Sequence, residues 1–299
     1  MATVRQQHGR FRRASADVLG LFVLPGVLAL LPWSFSFRLL RCFANRLPWF
    51  RPEADAAYAG ACTIVPIPDA EVWKRNYRLV RWIERCDSYL TLLRGRRWWR
   101  ARIDIEGTWP QREQPCLFLT YHWGAGNWVW RCLRDAGFHA YFVARKPEIA
   151  DMGVSRVAAW YARFRGWSFA RTGGLGVLYT GGSRHRIRDA LRAGDSIVGM
   201  LDLPVAAHQP TREVSLLGRA VRLPSGLLDC IDVACATAIF SCAIDLRTGR
   251  RCLRIEPLGE SEGVETMLQR YAAHLDARLR ENPEYWMMWH ESSAIFAAR

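Results

Sequence analysis

The segment LTYHWGAGNW carries the side chain best suited to proton transfer. His122 follows an apolar run that ends at Tyr121, glycines after it allow a tight turn, and a helix is expected to begin near Asn127. An imidazole ionises at about 6.5, so near neutral pH it can take a proton from a hydroxyl or amine and later return it. Such a base needs a partner that holds the ring. Asn127 offers an amide oxygen to Nδ1–H, as in Cys-His-Asn proteases, but brings no charge; it equally suits a helix cap. Asp202, which ends the run SIVGMLD, offers a carboxylate from a distant part of the chain. The candidate catalytic residues are therefore His122, Asn127 and Asp202, with the choice of partner open.

These residues need a scaffold that gathers strand ends. Apolar runs suited to buried strands occur at CLFLTY (116–121), AYFVA (140–144), SIVGML (196–201), ATAIFSCAI (236–244) and CLRIEPL (252–258). Helical segments are expected at about 126–136, 152–165, 183–193, 225–236 and 264–281. This alternation predicts an α/β fold with a mainly parallel central sheet flanked by helices. REVSLLGRAVRL (212–223) reads as a hairpin turning at Gly218. Upstream, apolar positions at spacings of three, four and seven predict a helix from about Ala70 to Leu93. His122 then stands at the carboxyl end of a strand and beside a helix N-terminus, where open α/β sheets bind ligands.

The order of these pieces resembles the glycerolipid-type (lysophospholipid) acyltransferases, and the lipid A late acyltransferases in particular. The resemblance runs over most of the chain: a hydrophobic N-terminal segment, an Arg/aromatic helix, WWRARIDIEG, the histidine turn, FARTGG around Arg171, GMLDLP around Asp202, and PEYWMMWH near the end. That family carries His-x4-Asp/Glu, whereas here Asn127 follows His122 at that spacing. GGLGVLYTGGS is longer and richer in glycine than the family's equivalent stretch, and IFSCAI lacks its usual proline. The resemblance implies transfer of an acyl chain from an acyl carrier protein (or CoA) thioester to a lipid or other polar acceptor, with His122 as general base and neither cofactor nor metal. It also implies phosphate ligands for the pantetheine arm. Arg145, Lys146 and Arg171 lie near strand ends, and Ser183 and Arg184 open a helix behind two glycines. Asn127 keeps a second reading in view, a non-catalytic relative that binds lipid or acyl carrier.

Composition points toward the same partners. Forty-two Lys plus Arg against 28 Asp plus Glu give +14, which calls for an anionic partner, and fourteen tryptophans suit a membrane–water interface. The uncharged run 18–37, VLGLFVLPGVLALLPWSFSF, is interrupted by Pro25 and Pro32 and has basic flanks. It is expected to form a helical anchor, monotopic or re-entrant, on the cytoplasmic face of a bacterial inner membrane. The expected organisation is an anchor at 1–50 and one α/β domain at 51–299. Arg78, Arg81, Arg97 and Arg100, interleaved with Trp73, Trp82, Trp98 and Trp99, are the candidate surface for carrier or membrane. Nucleic acid is disfavoured as a partner, because no nucleic-acid motif appears and the cations surround tryptophans. Nine scattered cysteines without C-x-x-C read as reduced core residues.

Overall fold

The computed structural model describes residues 15, 17–145, 156–206, 209–231, 235–260 and 263–297. Its strands are Ile103–Gly107 (β1), Cys116–Thr120 (β2), Ala140–Ala144 (β3), Gly174–Tyr179 (β4), Ser196–Met200 (β5), Thr211–Leu216 (β6), Arg219–Pro224 (β7), Ala236–Ile244 (β8) and Arg251–Glu260 (β9). Seven of them form one sheet in the order β1-β9-β8-β2-β5-β3-β4. Every pairing in it is parallel except β8 with β9. β6 and β7 form a separate antiparallel hairpin, turning through Leu217 and Gly218 at φ 52 and 74. Two successive positive-φ residues fit the right-handed twist of a hairpin.

All five residues of β2 are buried. Leu117 and Leu119 join one core cluster, Cys116 and Phe118 the other, so the strand is covered on both faces. The first face packs against the helices Arg184–Arg192 and Gly263–Glu281 through Ile187, Leu191, Leu268 and Leu275. The second face receives Leu24–Leu30 (α1), Trp33–Arg46 (α2), Ala70–Leu93 (α4, after α3 at Arg51–Ala61) and Val129–Asp135 (α6, after α5 at Arg96–Arg100). The remaining helices are Arg156–Thr172 (α7), the two just named (α8, α9) and Ser292–Ile295 (α10). α4 starts where the Asp69 carboxylate accepts the Val72 N–H at 2.9 Å. It is buried on two sides: Trp73, Tyr77 and Val80 enter one cluster, while Leu79, Trp82, Ile83, Cys86 and Leu90 enter the other.

The structure departs from the sequence reading at four places. The glycine-rich stretch 173–183 contains an edge strand, β4. Among the described residues of 225–236, where a helix is expected, there is one 3-10 turn, Leu228–Cys230, with Ala236 already in β8. The expected boundary at residue 50 does not separate two cores. Leu28, Trp33, Phe37, Leu40 and Ala44 share a cluster with Trp82, Phe118 and Phe240, and the Trp33 indole N–H bonds the Gly249 carbonyl at 3.0 Å. No helix among the described residues is long and apolar enough to cross a membrane.

The fourth departure concerns the arginine and tryptophan surface. Arg78 is buried and donates to the Leu47 and Ala44 carbonyls, closing the C-terminus of α2. Arg81 lies in an ion pair with Glu84. Arg94 donates to the carbonyls of Ala29, Leu30 and Leu31, closing α1 in the same way. Trp73, Trp82 and Trp99 are buried and Trp98 is half-buried. Arg97 and Arg100 alone of the four candidate arginines are exposed. The physical reason is the arginine stem, which packs like a hydrocarbon while its guanidinium satisfies orphan helix carbonyls.

Candidate active site

The turn after β2 is fixed by groups on two other segments. Gly124 stands at φ +76, and a Cβ there would lie 1.8 Å from the Cys242 carbonyl oxygen of β8, so only glycine fits. Its N–H bonds the Tyr285 carbonyl at 3.0 Å, and the Ala125 N–H reaches the Cys242 carbonyl at 3.3 Å. The His122 carbonyl accepts the Met287 N–H at 2.7 Å. The C-terminal segment PEYWMMWH is thereby bound to the histidine turn.

Asp202 follows β5, the immediate neighbour of β2, so both strand ends meet at one edge of the sheet. The Asp202 carboxylate is fully buried and accepts from every side. His122 Nδ1–H donates to Oδ1 at 3.0 Å and the His122 backbone N–H to Oδ2 at 2.8 Å. The Trp286 indole N–H donates to Oδ2 at 2.8 Å. The Tyr271 hydroxyl lies 2.9 Å from the Thr120 carbonyl and 3.3 Å from Oδ1, while accepting the Leu201 N–H at 3.1 Å. A carboxylate only accepts, so the proton of the ring sits on Nδ1 and Nε2 keeps its lone pair. The histidine side chain is 29% exposed. Burial pulls its pKa down, but the Asp202 charge and hydrogen bond, with Glu84 adding, outweigh burial and raise it above the ordinary value.

Asn127 does not hold the ring. Its amide oxygen accepts from Arg165 at 3.1 Å, and its NH2 donates to Ser88 Oγ at 2.8 Å and the Glu84 carbonyl at 3.4 Å. It caps no helix either, since α6 begins two residues later with no side-chain cap. The reason is geometric: the acceptor for Nδ1 comes from the adjacent strand end, while Asn127 faces α4 and α7.

There it joins an ionic group centred on the buried Glu84 that the sequence does not reveal. Glu84 pairs with Arg81 at 2.7 Å and with Arg165 at 3.0 Å. Burial opposes the Glu84 charge, but Arg165, Arg81 and Arg85, together with His122, hold its carboxyl down to about 2. The Arg81 guanidinium also touches the sulfur of Met287, the residue whose N–H binds the His122 carbonyl. Glu84, Arg165, Tyr271 and Trp286 are the functional candidates that sequence reasoning passed over. Trp286 stands in the PEYWMMWH segment, whereas Glu84, flanked one turn away by Arg81, Asp87 and Ser88, has no local pattern that sets it apart.

Of the candidate phosphate ligands, Arg145, Ser183 and Arg184 sit farther along the same edge, whereas Arg171 precedes β4 and lies at the opposite edge. Arg145 follows β3 and is exposed; Ser183 is buried and Arg184 exposed at the start of α8, behind β4. β3 lies two strands from β2 and β4 three, or about 10 and 14 Å at ordinary strand spacing. Among the described residues no hydrogen bond or ion pair joins Arg145, Arg171, Ser183 or Arg184 to His122. Arg171 is in the last turn of α7, over the Trp167 ring at 5.4 Å. Lys146 lies outside the described residues. No protein-family model matches this chain, and no curated protein matches it.

Proposed function

We propose that the chain is a membrane-associated acyltransferase of the glycerolipid and lipid A type, acting at the cytoplasmic face of a bacterial inner membrane. It moves an acyl chain from acyl carrier protein or CoA thioester to a lipid or other polar acceptor. The observation that carries this reading is the His122–Asp202 pair, bonded at 3.0 Å across two adjacent parallel strand ends. A histidine whose Nδ1–H is held by a buried carboxylate presents Nε2 as a general base.

In the proposed step, Nε2 takes the proton of the acceptor hydroxyl or amine as its oxygen or nitrogen attacks the thioester carbonyl carbon. The carbonyl electrons move to oxygen, and positive charge on Arg165, fixed by Glu84 and Asn127, favours that oxyanion. The electrons return, the carbon–sulfur bond breaks, and the thiolate takes the proton from the imidazolium to leave as thiol. The Asp202 carboxylate accepts Nδ1–H throughout and stabilises the imidazolium. The carboxylate that Asn127 does not provide is supplied by Asp202 in this scheme.

The test is lipid mass spectrometry of cells with and without the gene, joined to transfer assays with carrier-bound and CoA-bound donors. One acylated species lost without the gene and restored by wild type, but not by His122→Ala, is the expected result. A His122→Ala protein that restores the species fully overturns the reading. No acyl product from either donor, with donor binding retained, points instead to a non-catalytic carrier-binding relative.

A further inference from the structure

Twelve of the fourteen tryptophans are buried or half-buried; Trp160 and Trp167, both on α7, are 60% and 50% exposed. They belong to a single exposed stripe, Arg156, Trp160, Arg163, Trp167 and Arg171, at spacings of four, three, four and four. Those spacings lie on one side of a helix. Cation and indole alternate along it, and the segment 156–172 contains no Asp or Glu. The opposite side of α7 is packed through Val157, Tyr161, Ser168 and Phe169.

The stripe adjoins a second exposed apolar surface. Phe22 meets the rings of Tyr161 and Phe164 at 5.6 and 6.1 Å, seating the π-helical turn Leu19–Val23 against α7. Val18, Leu19, Val23, Val27 and Leu30, on that turn and α1, are between 39% and 65% exposed. The stretch 18–52 likewise contains no acidic residue. Exposed indoles beside arginines on a helix lying flat are suited to the headgroup region, where rings enter the acyl boundary and cations meet phosphate.

We infer that the α7 stripe and the adjoining N-terminal helices form one docking face for an anionic lipid bilayer. The favoured occupant is a bilayer because apolar side chains and cations share the face without any acidic side chain from either segment. An acidic protein would be read by charge alone, and a second copy would bring +14 against +14. The inference deepens the proposed function, since Arg165 of the same helix contacts Glu84 and Asn127; docking α7 would set that ionic group and His122 at the lipid surface. Its test needs no turnover, so it fails or holds apart from the acyltransferase reading.

The experiment is co-sedimentation of the full chain with phosphatidylcholine vesicles containing phosphatidylglycerol, and with phosphatidylcholine alone. Wild type should bind the anionic vesicles more strongly and lose that advantage as salt rises. Arg163→Gln/Arg171→Gln should weaken anionic-vesicle binding by about fivefold per arginine, roughly 25-fold together, with little change on neutral vesicles. Trp160→Ser/Trp167→Ser should weaken both, while thermal unfolding stays as in wild type because both rings are exposed. Fluorescence quenching by lipids brominated near the headgroup should fall in that variant. Wild-type vesicle binding in both double variants overturns the inference, as does a sedimentation shift showing that the tryptophan pair drives self-association instead.

Discussion

At the scale of single residues, the site depends on who holds the imidazole. Asp202→Asn leaves the shape but removes the charge and the unambiguous acceptor for Nδ1–H. By comparison with other oriented histidine bases, turnover should fall by about a thousandfold or more, with KM for donor nearly unchanged. The pH profile supplies a second readout. The base works neutral, so activity rises as pH passes the His122 pKa, which Asp202 and Glu84 hold above its ordinary value. Removing the Asp202 charge leaves burial and the Arg165 charge, both lowering the pKa, opposed by Glu84 alone, and the acid limb of kcat/KM should move to lower pH. A limb that stays in place would mean another group titrates. Asn127→Ala should cost less than Asp202→Asn, because it releases Arg165 and Ser88 without freeing the ring. A loss equal to that of His122→Ala would show that the Arg165 anchor is indispensable.

At the scale of elements, glycine and buried charge decide how strands and helices meet. Gly124→Ala places a Cβ against the Cys242 carbonyl at a left-handed φ. The turn must then move, costing at least about 1–2 kcal/mol, and activity should fall further than stability does. Urea melts set beside turnover assays separate the two. α4 is tied to β9 by Asp87 and Arg251, both fully buried and paired through two hydrogen bonds, one at 3.2 Å. Arg251 also lies over the rings of Trp33 and Trp99 at 4.4 and 5.1 Å. Asp87→Ala leaves that guanidinium unpaired and should destabilise by about 3–5 kcal/mol, whereas replacing both partners with apolar residues should cost much less. Equal losses in the single and double variants would count against an uncompensated charge as the cause.

At the scale of the molecule, the N-terminal helices belong to the core as well as to the docking face. α1 and α2 cover one face of the sheet, close over Trp82 and Phe118, and are capped by Arg94 and Arg78 from α4 and its C-cap. A chain beginning at Pro52 would expose those side chains and strand both guanidiniums. It should therefore unfold or aggregate, and circular dichroism with size-exclusion chromatography checks this. A folded, monomeric truncated chain that lacks only vesicle binding would restore residues 1–50 as a detachable anchor.

The sequence by itself determined the layered α/β pattern, α4 between Ala70 and Leu93, the hairpin at Gly218 and the location of His122 after a buried strand. Each of these is written in local periodicity, in glycine placement or in strand-length apolar runs, which fix backbone conformation within a few residues. The tertiary structure alone decided which partner the imidazole meets, because Asp202 is eighty positions away and reaches it only through the β2–β5 pairing. It likewise decided that Trp73, Trp82 and Arg78 are interior, that Arg81 is half-buried in an ion pair, and that Trp160 and Trp167 are exposed. An arginine or tryptophan has both an apolar body and a polar tip, so its type permits either environment. Only the neighbours brought by the fold, a helix carbonyl end, a carboxylate or open solvent, select between them.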